Sequence, residues 1–260
     1  MSNREDQPEA VAPRQQIAAY YASPARRPEA ARALFNRFAG HYDLINHIFS
    51  FGSGAWYRRT CLRHAGIGPG MAVVDVAVGT GLLARQAQRL MQGDGTLIGI
   101  DLSEAMLGLA QKTLGIPLIQ ATAEALPLAD GIADFVTMGY ALRHLSDINL
   151  ALSEALRLLR PGGKLVLLEV SAPSHPALRR AAGVFIGGVL PAVSALATRN
   201  RQAKALMAYH WQTIAAYAPP EAVVEALRRT GFQNVACASE FDFFRFYSGQ
   251  KPRQSAIDSE

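Results

Sequence analysis

Cysteine is scarce: the 260 residues contain two, Cys61 and Cys237, far apart and without a C-x-x-C partner. That excludes a disulfide framework and a thiolate zinc site, and the apolar surroundings predict two buried, reduced thiols. The six histidines show no ligand spacing, so no metal is expected. Charge is also sparse, at 18% of residues, and the 26 Lys and Arg form no basic block. A net charge of +5 suits an anionic surface, but without such a block no nucleic-acid partner is expected. The opening run Ser2 to Asp6 is polar and lacks the apolar core of a signal peptide, so cytoplasmic residence is the expectation. There is no internal repeat.

Half of the residues are apolar, which is an ordinary globular balance, and the length suits one domain with an appended lid. Residues 1–28 are rich in Pro, Arg, Glu, Gln and Ala and read as a flexible tail, as do 252–260. From Glu29 the spacing of Ala33, Leu34, Phe38, Leu44, Ile45, Ile48 and Phe49 predicts two helical segments, broken near Gly40 and ending around Gly52. They belong to a helical cover over 29–66 that opens a single domain, 29–251.

The body of the domain alternates strand and helix. Ala72 to Ala77 is a strand between Gly68-Pro69-Gly70 and a Gly-rich loop, followed by a helix over 82–91 and a strand from Thr96 to Ile100. Ser103 caps the next helix. Strands follow at 118–121 and 135–139, then a helix at 149–159 and a strand at 164–170. A helix at 220–230 precedes two aromatic stretches, Val235 to Phe241 and Phe243 to Tyr247, that could pair antiparallel. The repeat of β then α predicts an α/β fold, a mainly parallel sheet with helices on both faces.

Gly79-Thr80-Gly81-Leu82-Leu83-Ala84 fits G-x-G-x-x-G/A between a strand and a helix, and Asp101 lies about twenty residues on, where an acid can accept both ribose hydroxyls. Taken alone, this would also describe a dinucleotide site. Asp75, four residues before Gly79, argues otherwise, because its charge would repel a pyrophosphate. It would attract an ammonium and a sulfonium by about 1 to 4 kcal/mol.

Val73 to Ala84 and Gly99 to Leu107, which includes Leu102, resemble the nucleoside-binding segments of class I S-adenosylmethionine-dependent methyltransferases. Phe35 to Asn46, Ala123 to Pro127, Leu142 to Asp147 and Leu159 to Leu165 are similar to the ubiquinone/menaquinone biosynthesis C-methyltransferase family. The resemblance implies a Rossmann-like seven-stranded sheet and S-adenosylmethionine as cofactor, with Thr80, Asp101, Thr122, Ala123 and Gly139 at contact positions. It also implies a small lipophilic aromatic acceptor, such as demethylmenaquinol or a ubiquinol precursor. Leu82 departs from the family's usual Asp, and the ending Phe243 to Tyr247 is more aromatic; these departures leave O- or N-methylation of a phenolic metabolite, or a non-catalytic cofactor-binding scaffold, as alternatives.

Arg143 and His144 follow the strand ending at Gly139, so Arg143 could stabilise a phenolate and His144 could take the hydroxyl proton. Tyr42 could orient a substrate oxygen. His41, Asp43, Asn46 and His210 read as solvating or capping residues, and Trp56 and Trp211 as packing. Residues 181–198 form an uncharged run interrupted by Pro191 and three glycines, which argues against a membrane span. It reads as the core of a greasy lid inserted over 174–218. The flanking Arg179, Arg180, Arg199, Arg201 and Lys204 would permit peripheral contact with anionic lipid; a homodimer face is the alternative.

Overall fold

The computed structural model describes residues 27–49, 52–192 and 210–253. Residues 1–26, which include most of the expected tail, residues 193–209, within the expected lid and including Arg199, Arg201 and Lys204, and residues 254–260 lie outside the described residues.

Two helices, α1 (Arg27–Phe49) and α2 (Gly54–Ala65), precede the sheet. α1 runs unbroken through Gly40, contrary to the expected break, and already includes Arg27 and Pro28. A mid-helix glycine costs only about 1 kcal/mol, and the hydrogen bonds that dock α1 on the start of α4 and on the loop after β1 override it. α2 ends on Gly66, whose φ of 104° lets its N–H reach Leu62 O and Arg63 O.

The body then runs β1 (Met71–Val76), α3 (Ala84–Met91), β2 (Gly95–Asp101), α4 (Glu104–Gln111), β3 (Leu118–Gln120) and β4 (Ala133–Gly139). A 3-10 turn (Leu142–His144), α5 (Ile148–Leu158) and β5 (Leu159–Val170) follow. The caps act as their sequences require: Ser103 Oγ accepts from Met106 N at the start of α4, and Asp147 accepts from Asn149 N and Leu150 N at the start of α5. β5 begins earlier than expected, at Leu159, which pairs with Ala133 before the register shifts. The chain closes with α7 (Pro220–Thr230), β6 (Gln233–Glu240) and β7 (Phe244–Gln250).

The seven strands lie in the order β3-β2-β1-β4-β5-β7-β6. β1 to β5 are parallel, whereas β7 is antiparallel to β5 and β6 to β7. Successive side chains of a strand face opposite sides, so the doubled apolar residues of each strand feed two cores. Val74, Val136 and Leu165 pack with α5 and α7; Val73, Phe135 and Val166 pack with α2 and α3. The order reverses between β1 and β4, and the crevice outside the carboxyl ends of these strands is where such sheets bind ligands.

The insertion expected to form a lid starts as α6 (Pro176–Val184), which passes into a π-helical turn (Phe185–Val189) and on into helical residues 190–192. Its glycines do not break it. A Cβ on Gly183 or Gly187 would lie 3.2 or 3.0 Å from the ring of Trp211, so they let the returning helix 210–216 pack close. Two packing expectations fail, since Trp56 is 69% exposed and Cys237 is an exposed thiol on the edge strand β6. No helix among the described residues is long and apolar enough to cross a membrane.

Candidate functional site

A pocket lies at the carboxyl ends of β1, β2 and β4. Asp101, Leu102, Gly79, Thr122, Ala123 and Gly139 line it, together with Tyr42 and His144. The loop after β1 is opened by left-handed backbone at Ala77 (φ 55°) and Gly79 (φ 57°), and a Cβ on Gly79 would meet nothing within 4 Å. That open backbone is the cradle expected of a nucleoside site.

Asp101 ends β2 with its carboxylate already oriented. Gly79 N donates to one oxygen and Ser103 N to the other, each at 2.8 Å. Burial raises its pKa, opposed by these two backbone donors. A carboxylate offers about four lone-pair directions, which leaves acceptor capacity for two ribose hydroxyls.

Three expected cofactor residues are not on the pocket wall. Gly81 (φ 88°) faces Leu114, whose side chain would sit 2.5 Å from an added Cβ, so this glycine serves close packing. Thr80 is buried and donates to Asp43 on α1, and Arg85 reaches Thr80 O at 3.3 Å. Asp75 lies in β1 beneath the loop, buried, accepting from Thr137 Oγ1 at 2.7 Å. Burial pushes its pKa up to about 7, against the Thr137 hydroxyl and the Ala84 N–H.

The catalytic candidates divide in the same way. His144 and Tyr42 line the pocket, with Phe35 between them: its ring centroid is 5.1 Å from His144 and 6.2 Å from Tyr42. Burial, reinforced by Arg143 and His210, holds the pKa of His144 well below 6.5, so its imidazole is neutral at pH 7. Burial raises the pKa of Tyr42, opposed by Arg143. Arg143, expected at the mouth of the site, is instead buried with Glu169. Its Nη1 donates to the Glu169 carboxylate and to Tyr140 O at 2.9 Å, and its Nη2 lies 3.3 Å from His210 Nδ1. The reason is electrostatic: an entirely buried Glu169 needs a cation, and Arg143 is the nearest.

Sequence reasoning missed the way α1 closes the site. Asn36 Oδ1 accepts from Ser103 Oγ at 2.6 Å, Arg32 pairs with Glu104, and Asp43 takes the Thr80 hydroxyl. Arg32, Phe35, Asn36, Tyr42 and Asp43 follow a 3-4-7 spacing, which puts them on one helical face. That polar and aromatic stripe, in a segment read mainly for its apolar residues, was the available signal. Tyr140, at the unusual φ of 62°, also lines the pocket, and Arg58 lies 5.1 Å over its ring.

The ubiE/COQ5 methyltransferase family matches residues 25–241. The Ubiquinone/menaquinone biosynthesis C-methyltransferase UbiE of Shewanella halifaxensis is 30% identical over 217 residues, 81% of this chain and 85% of the relative. That of Shewanella frigidimarina is 32% identical over 209 residues, 78% and 82% of the two chains. Among solved structures, a SAM-dependent methyltransferase from Thermotoga maritima shares the fold with a TM-score of 0.60 at 22% identity, covering 85% of this chain and 99% of that one. One from Methanococcus maripaludis gives 0.58 at 18%, covering 85% and 95%. A strand-loop-acid site at the switch point of a seven-stranded sheet, joined to a family match over most of the chain, makes this protein a member of the ubiE/COQ5 methyltransferase family, an enzyme that uses S-adenosyl-L-methionine.

Proposed function

We propose that the enzyme methylates a carbon of a lipophilic quinol. The observation that carries this reading is a shared wall: the ribose-accepting Asp101 and the neutral imidazole of His144 bound one pocket. When bound, S-adenosylmethionine supplies an electrophilic methyl group on positively charged sulfur. Asp101 would hold the ribose hydroxyls, Leu102, Thr122 and Ala123 the adenine, and the loop at Gly79 the amino-acid end, with Asp75 acting from beneath the loop.

The acceptor must first lose a hydroxyl proton, because only the oxyanion spreads negative charge onto its ring carbon. His144 takes that proton. Burial and the Arg143 charge lower its pKa, so it is unprotonated at neutral pH, and the imidazolium formed on proton uptake would be offset by the oxyanion created beside it. Tyr42, protonated across the physiological range, donates to the acceptor oxygen. After transfer the oxygen takes back the proton held by His144, and the methylated carbon gives up its ring proton to solvent as the site opens for product release, so that aromaticity returns and one net proton leaves. α1 and the lid exclude water from the reacting atoms.

Lipophilicity rests on a second feature. Pro173, Leu178, Ile186, Leu190, Phe241 and Phe244 are among the residues lining an open apolar groove between the lid and the β6–β7 turn. It would seat a hydrocarbon tail, and the UbiE relatives are named for quinone biosynthesis. Leu178, Val184, Phe185 and Val189 are exposed on the same lid, and Phe241 at the turn is 87% exposed. With Arg179 and Arg180 on α6, they suit shallow contact with an anionic bilayer, from which such an acceptor would enter.

Leu82 favours a second reading, O-methylation, because no carboxylate stands where the family usually has Asp. The test incubates the enzyme with labelled S-adenosylmethionine and demethylated quinols of short and long tails, then maps the product. A new C-methyl group on the ring supports the proposal. A methyl ether supports the second reading, and no turnover of any quinol overturns both.

A further inference from the structure

Glu169 is the most completely buried acid among the described residues that line neither pocket nor surface, and the chemistry above does not use it. It sits near the end of β5 and is fully inaccessible to solvent. One of its oxygens accepts from both Arg143 Nη1 and its neighbour Val170 N, the latter at 2.9 Å. Its other oxygen and Arg143 Nε have no hydrogen-bond partner among the described residues.

Arginine–carboxylate pairs are frequently bidentate, with two parallel N–H to O bonds. This one is not. The guanidinium is spread instead over three elements: Glu169 on β5, Tyr140 O after β4, and His210 on the returning arm of the lid. Arginine only donates, so His210 Nδ1 must be the acceptor and its ring proton sits on Nε2. The ring of His210 in turn lies 6.3 Å from that of Tyr42 on the pocket wall.

The 3-10 turn supplies the consequence for catalysis. Its side chains leave the axis about 120° apart, so fixing one direction fixes the others. Leu142 enters the core, Arg143 points inward to Glu169, and His144 is thereby turned to the pocket.

We infer that Glu169 is a positioning residue which, through Arg143, both aims His144 at the acceptor and anchors the helix 210–216 at His210. The inference about His144 rests on the function proposed above; the anchoring of the lid does not.

The test compares the full-length enzyme with Glu169→Gln, Arg143→Gln and the double variant. Glu169→Gln keeps shape and removes the charge that fixes the guanidinium. Titration with S-adenosylhomocysteine should give unchanged affinity, since no cofactor-site residue is touched. Amide exchange over 210–216 should speed up by about tenfold as the lid loses its anchor. Turnover number should fall by about a hundredfold with the KM for S-adenosylmethionine unchanged, the loss that misaligned reacting groups produce. The double variant should be no worse than the poorer single, because both act through one contact.

Unchanged exchange over 210–216 overturns the lid anchor. An unchanged turnover number, an additive double variant, or a parallel loss of nucleoside affinity and melting temperature overturns the positioning role in favour of a purely structural one. If the wild type methylates no acceptor, the functional proposal fails, and the exchange measurement alone still decides the anchor.

Discussion

On the β1–β2 side the site is built from backbone and one acid: the loop at Gly79 and a carboxylate clamped by two N–H groups. On the β4–β5 side it is built from side chains that four separate segments bring together: Tyr42, His144, Glu169 and His210. The first kind of site depends on local geometry and tolerates change elsewhere. The second depends on the packing of α1 and the lid, and is where a family could change acceptor while keeping its cofactor.

The sharpest way to break that contrast is Asp101→Ala. It removes the proposed ribose acceptor, whose two charge-assisted bonds would be worth about 3 to 6 kcal/mol in all, and the carboxylate that Gly79 N and Ser103 N hold. Calorimetry should show S-adenosylhomocysteine binding weakened by about 10²- to 10⁴-fold. Undiminished binding would mean that the backbone loop alone holds the nucleoside.

His144→Ala tests the other side. Turnover should fall about a hundredfold, the lower range for a general base, while nucleoside affinity holds. Were affinity to fall instead, the two regions would not be separable.

Acid stability separates them further. Burial and Arg143 push the pKa of His210 down to about 3 from 6.5, so the folded state keeps it neutral where the unfolded chain protonates it. A depressed folded pKa contributes stability present above 6.5 and lost as pH falls toward 3, about 2 kcal/mol by pH 5. Asp75 has the opposite sign: raised to about 7, it favours the folded state below its unfolded value near 3.8 and costs stability as pH rises through 7. Denaturation of His210→Gln between pH 7 and 5 should therefore show a flatter acid decline than the wild type, and an identical decline would remove His210 from the account.

Leu178→Asp, at the rim of the apolar groove, should raise KM for long-tailed acceptors by about tenfold, the loss of part of one buried aliphatic contact, and leave short-tailed acceptors unaffected. Equal effects on both would dissociate the groove from the tail. The smallest effect is expected at Ala77, whose left-handed φ of 55° strains a Cβ. Ala77→Gly should raise stability by about 0.5 kcal/mol, since the relief outweighs the added freedom of the unfolded chain, and the melting temperature reports it.

How far each region could be read in advance follows the same division. The strands, the Gly-rich loop, Asp101, and the caps at Ser103 and Asp147 were legible because each depends on residues close in sequence. Gly81 and Thr80 belong to the recognised loop, yet they turned out to pack against Leu114 and hold Asp43, contacts that no spacing rule reports. Arg143 and His144 were read as a pair facing the acceptor, although the turn sends their side chains about 120° apart. The break expected at Gly40 was a local preference that docking overrode.

The amino-acid sequence by itself determined the α/β alternation, the Gly-rich loop after β1 and the acid that ends β2, because apolar period, turn chemistry and backbone freedom act over a few residues. Only the tertiary structure decided that Glu169 claims Arg143, that His144 is left to face the pocket, and that α1 closes over the nucleoside site. Those outcomes come from burial: a charge removed from water takes the nearest counter-charge, whichever segment carries it, and the side chains around it settle accordingly.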